Sequence, residues 1–127
     1  MIVTCCLAAT KIQNNSHSYN FLSIFLIPNS RDISKLKANW VEDTQIVYIG
    51  MTQDTLKKRL STYMRFGQGE AVGHWGGRFI WQMKDSRDLI ICWKPMPIGD
   101  AAKEESDMIQ SFKQAHGGKR PFANLRD

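Results

Sequence analysis

Residues 46–64 read Ile46-Val47-Tyr48-Ile49-Gly50-Met51-Thr52-Gln53-Asp54-Thr55-Leu56-Lys57-Lys58-Arg59-Leu60-Ser61-Thr62-Tyr63-Met64, and the change of period within them decides the fold class. Up to Gly50 the residues are mostly β-branched or aromatic, which marks a strand. Alternation along it puts Ile46, Tyr48 and Gly50 on one face and Val47 and Ile49 on the other. From Leu56 onward Leu56, Leu60, Tyr63 and Met64 form an apolar stripe at helical spacing. Thr52 or Asp54 can cap that helix, because a side-chain oxygen there accepts an otherwise unpaired backbone N–H. Strand and helix therefore mix within a few residues.

Working outward, Ile33, Leu36 and Trp40 fall at i, i+3 and i+7 and predict a short helix. Phe21 to Ile27 is short, bulky and bounded by Pro28-Asn29-Ser30, which reads as a buried strand. Residues 1–20 show little periodicity and are expected to be a tail or an extra strand. On the other side, five of the nine glycines lie between Gly67 and Gly77 and predict a tightly turned loop. Arg78 to Lys84 and Leu89 to Lys94 read as extended or buried segments stopped by Pro95 and Pro97, with Trp81 and Trp93 expected in the core. A last helix is expected from Asp100, its cap, to His116, with Gly117 ending it.

The chain has 127 residues, 43% of them apolar and 23% charged, which suits one folded domain and argues against wholesale disorder. Its net charge of +5 is uneven. Basic and acidic residues number four and four through Thr55, but thirteen and eight from Leu56 onward. A local basic surplus favours a polyanionic partner. The longest apolar run is too short to span a bilayer, and Met1 to Leu7 lacks a basic leader, so a cytoplasmic protein without membrane partner is expected. Cys5, Cys6 and Cys92 make no Cys-x-x-Cys pair, which favours reduced structural thiols over a zinc site.

Two charges sit where apolar residues belong. In the last helix Ala101, Ala102, Met108, Ile109 and Phe112 make the stripe, and Glu105 points with it. Arg59 follows Leu56 by three and precedes Tyr63 by four, so it borders the inward face of its own helix. A desolvated carboxylate needs a cation, a metal ion or donated hydrogen bonds. Either Arg59 and Glu105 pair as a partly buried structural bridge, or they serve a site.

With these residues assembled, the chain resembles the GIY-YIG nuclease domain. Tyr48-Ile49-Gly50 at a strand end, Arg59 eleven positions after Tyr48, then Tyr63, Glu105 with Met108-Ile109, and Pro121-Phe122-Ala123-Asn124 are similar to that family's ordered motifs. Ser23-Ile24-Phe25 would be the first half-motif, with Phe25 lacking a hydroxyl and Met51 standing where many relatives carry lysine. The resemblance covers about residues 21–127 as a single domain. It implies an α+β fold, a small central three-stranded antiparallel sheet flanked by helices. It also implies a metal-dependent endonuclease that hydrolyses DNA phosphodiester bonds, on branched or single-stranded DNA among its possible forms. The alternative is a catalytically weak or inactive nucleic-acid-binding module on the same fold.

Under that resemblance Glu105 is the ligand of one Mg²⁺ or Mn²⁺, which completes its shell with water and phosphate. Arg59 clamps the scissile phosphate, Tyr48 accepts the proton of the attacking water, and Tyr63 and Asn124 support them. Lys57, Lys58, Arg65, His74, Arg78, Lys119 and Arg120 are expected to contact the DNA backbone. For Tyr63 the bland reading is that it completes the apolar stripe, and for His74 that it lies solvated in a packed turn.

Overall fold

Thr4–Thr10 (β1) runs antiparallel to Ile46–Thr52 (β2) on one side and to Ile90–Met96 (β3) on the other, in the order β2-β1-β3. These ladders belong to a computed structural model that describes residues 4–10, 33–73, 77–83 and 86–126, the first of these as backbone only. The run from Cys5 to Ala9 is apolar without alternation, so no period-two signal marks β1 in the sequence. The expected strand Phe21–Ile27, with Ser23 and Phe25, lies outside the described residues.

Register corrects the face assignment of β2. Ala9 pairs with Tyr48 and Thr10 with Ile46, which leaves Val47 as the extra residue of a β-bulge. The bulge resets the alternation. Val47 and Tyr48 both pack with Leu36, Tyr63, Phe66 and Trp81, whereas Ile46 and Ile49 pack with Val41, Ile109 and Phe112. The faces expected for Ile46 and Val47 are therefore exchanged.

The two clusters are the two faces of the sheet. Ile33–Asn39 (α1), Leu56–Gly67 (α2) and the single turn Gly77–Ile80 (α3) contribute to the first cluster, and Ala101–Ala115 (α4) to the second. The segment expected to extend from Arg78 thus begins as a helical turn, although Phe79, Ile80, Trp81 and Met83 are buried as expected. Trp81 explains the tight fit. Its indole N–H donates to the Tyr63 carbonyl at 3.1 Å, and its ring stacks on Tyr63 with centroids 4.9 Å apart. A methyl group added at Gly67 would sit 2.2 Å from the indole, so only glycine lets the ring approach α2 this closely.

Thr55, rather than Thr52 or Asp54, caps α2, its hydroxyl accepting the Lys58 N–H at 3.2 Å. Thr52 and Asp54 instead order the turn before it, accepting from Asp54 N–H and Thr55 N–H. The inward stripe of α2 is Leu56, Arg59, Tyr63 and Phe66, while Met64 is 49% exposed. Asp100 makes no side-chain cap bond at the start of α4. Its end is closed by Gly117 at φ 61° and by Gly118 N–H donating to the Lys113 carbonyl at 2.8 Å.

Burial was expected of Trp93, yet it is 57% exposed, and Cys92 is exposed too. Both lie on β3, which has β1 on one side and no described strand on the other. Pro95 does not stop this strand but lies within it, at a position whose missing N–H faces away from β1. Among the described residues no helix is long and apolar enough to cross a membrane.

Candidate functional site

The edge of β2 facing away from β1 is lined by Val47, Ile49 and Met51, whose backbone groups alternate outward. Ala123 N–H donates to the Val47 carbonyl at 2.8 Å. The Asn124 amide then makes both outward bonds of Ile49: Ile49 N–H donates to its Oδ1 at 2.9 Å, and its Nδ2 donates to the Ile49 carbonyl at 2.7 Å. One step further, the Glu105 carboxylate accepts from Met51 N–H. Backbone, amide and carboxylate therefore close the edge in sequence. The last of these leaves an acid beside the strand's end.

From the other face of the sheet α2 delivers Arg59. Its Nη2 donates to the Tyr48 hydroxyl at 3.0 Å. Gly50 makes room for this contact, because a methyl group there would lie 2.3 Å from the Tyr48 hydroxyl oxygen and 2.6 Å from its ring. The phenol thus lies across a residue with no side chain, two positions along the strand. Arg59 and Glu105 are each partly buried. The Arg59 Nε is buried with no hydrogen-bond partner, which is uncommon for a charged donor.

Arg59 and Glu105 feel each other's charge without forming an ion pair. Among the described residues the ion pairs are Lys58–Asp54, Arg65–Glu70, Lys94–Glu104 and Lys103–Asp107. Burial pushes the Glu105 carboxyl above the ordinary glutamate range, and the Met51 N–H with the charges of Arg59 and Arg126 offsets this only in part. The structural-bridge arrangement is not what the geometry contains. A partly desolvated acid faces a guanidinium that is bonded to a phenol instead.

Of the residues singled out in the sequence, Tyr48, Arg59, Glu105 and Asn124 gather around β2. Tyr63 lies in the core against Trp81, 8% exposed, and burial pushes its hydroxyl pKa well above the usual tyrosine value. Lys57, Lys58 and Arg65 are exposed on α2. The basic run there is partly neutralised in space by acids outside it, Asp54 on Lys58 and Glu70 on Arg65. Arg78 is half-buried on α3, Lys119 donates to the Trp40 carbonyl at 3.4 Å, and Arg120 is half-buried beside Pro121. His74 lies outside the described residues.

Arg126 and the Met51 N–H are additions that the sequence did not offer. Arg126 sits in a non-helical tail with no period to orient it, whereas the Tyr-x-Gly spacing did carry a readable signal. Nothing matches the chain among protein-family models, curated proteins or solved structures.

Among the described residues no group of three or more His, Cys, Asp or Glu side chains converges. A divalent ion at Glu105 would take its other ligands from water and a substrate phosphate, which suits Mg²⁺. The partly desolvated, incompletely neutralised carboxylate is complementary to such a cation.

Proposed function

We propose that the protein is an endonuclease that hydrolyses DNA phosphodiester bonds with one divalent ion, in the manner of GIY-YIG domains. The observation that carries this reading is the Arg59–Tyr48 hydrogen bond over Gly50 beside a Glu105 that is charge-coupled but not bridged to Arg59. An ion pair between the two would have been self-sufficient; their separation leaves both charges for a ligand.

In this reading Glu105 would hold Mg²⁺ or Mn²⁺, which would supply Lewis-acid stabilisation of the charge on the phosphate and leaving oxygen. Arg59 has guanidinium donors beyond the one on Tyr48 to place on phosphate oxygens. Tyr48, acting as its phenolate, would accept the proton of the attacking water and become the phenol, with the Arg59 guanidinium donating to the same oxygen. Asn124 fixes the strand that carries Tyr48, and Tyr63 fixes α2 against Trp81 so that Arg59 stays in place. The fold assignment to a GIY-YIG-like sheet is supported by the antiparallel order β2-β1-β3 with the Tyr-Ile-Gly strand at one edge.

The test is conversion of supercoiled plasmid to the nicked form in Mg²⁺ or Mn²⁺. Wild-type nicking lost in Glu105→Gln and in Arg59→Ala supports the enzyme. Equal nicking in all three preparations refutes it. DNA binding that weakens steeply with salt, with no nicking, identifies the binding module instead.

A further inference from the structure

We infer that Trp93 is a base-stacking platform for a nucleotide flanking the cleaved bond. The inference rests on the nuclease reading and extends it to substrate positioning. Its basis is register. Leu7 of β1 pairs with Gly50 on one side and with Trp93 on the other, so the three positions form one row across the sheet. Residues directly opposite in a ladder project to the same face. Trp93 therefore shares the face of Gly50, over which the Tyr48 phenol lies.

An independent contact agrees. Lys94, next along β3, pairs with Glu104 of α4 at 2.8 Å, which places Lys94 on the α4 face and Trp93 on the other. Two strand spacings separate Gly50 from Trp93, about 10 Å. That distance corresponds to about three steps along a stacked nucleic-acid strand. A strand whose phosphate sits at Arg59 and Tyr48 would bring a base, two or three nucleotides away, over this indole.

The chemistry selects the occupant. Trp93 is 57% exposed and is the aromatic residue among the exposed large apolar side chains described, and the chain carries a net charge of +5. An exposed aromatic beside a phosphate-binding group is how single strands are held without sequence preference. A second copy of the chain packing on Trp93 is the competing occupant.

Binding of a short fluorescein-labelled oligothymidylate is followed by anisotropy for full-length Glu105→Gln, which keeps the strand uncut, alone and combined with Trp93→Ala or Trp93→Phe. Trp93→Ala is expected to weaken binding about tenfold or more, and Trp93→Phe to retain most of it. Moving one abasic site along the oligonucleotide should weaken binding at one position only, and Trp93→Ala should abolish that dependence. Binding unchanged within about twofold by Trp93→Ala overturns the stacking role, as does an indole whose loss alters only the sedimentation of the protein. Plasmid nicking by the otherwise unmodified chain is scored in parallel. Nicking with no effect of Trp93 removes this inference alone, while absence of both nicking and DNA binding removes the nuclease reading with it.

Discussion

Replacing Asn124 by alanine removes both bonds that Ile49 makes at the outer edge of β2. The segment around it stays docked, because Phe122 and Ala123 are 2% and 1% exposed and belong to the core. Ile49 N–H and C=O are then left in a site that water reaches poorly. Each orphaned buried group costs about 1–3 kcal/mol, so the pair should cost about 2–6 kcal/mol. Stabilities of small domains run to about 5–15 kcal/mol, so this is a large fraction. At about 3–5 °C per kcal/mol the midpoint should fall by roughly 6–30 °C. Urea titration and a thermal melt followed by circular dichroism measure it. An aspartate at the same place can still accept from Ile49 N–H but turns a second acceptor toward the Ile49 carbonyl. That variant should be weak at neutral pH and recover as pH falls, since a protonated carboxyl can donate. A loss below about 0.5 kcal/mol for Asn124→Ala would refute the claim that this amide closes the strand edge.

Three further outcomes follow from other contacts. Gly50→Ala forces the Tyr48 ring aside and breaks its bond to Arg59, so nicking should drop at least tenfold while the far-ultraviolet spectrum is kept; undiminished nicking contradicts the role of the phenol. Gly67→Ala gains about 1 kcal/mol of helix propensity yet collides with the Trp81 indole, so a net loss of about 1–2 kcal/mol is expected by denaturant titration, and net stabilisation would contradict it. Burial raises the Glu105 pKa from its ordinary 4.5, so the native state binds its proton more tightly than the unfolded chain and the ionised form is a penalty on folding. That penalty is absent below the unfolded value and complete above the folded one. Glu105→Gln should therefore stabilise the fold at neutral pH, with the gain vanishing near pH 4; a loss of stability at neutral pH would restore the structural-bridge account.

Local rules took the sequence a long way where the determining neighbours are local. The inward placement of Glu105 and Arg59 followed from helix period alone, because their stripes are continuous. The mixed strand-and-helix class did as well. What was not legible depends on partners remote in the chain. Val47 changes face because β1 skips it, and nothing within residues 46–52 announces a skipped partner. Trp93 reads as core from its apolar neighbours, yet its exposure is set by the edge position of β3, a property of strand order. Likewise Lys58 and Arg65 belong to an uninterrupted basic run in sequence but meet Asp54 and Glu70 in space. Met64 sits at a helical repeat of Leu60, but the helix is rolled so that Arg59 and Tyr63 face inward instead.

The manner in which β2 is closed has a bearing on how the chain is made. Its rim is completed by Ala123 and Asn124, the latter 75 residues further along the chain than the Ile49 it holds. A nascent or truncated chain that stops before them presents Val47 and Ile49 as an open, sticky ledge, the kind of surface on which half-made proteins join one another. Protection of this ledge against self-association therefore waits on a segment made 75 residues later, and on one carboxamide within it.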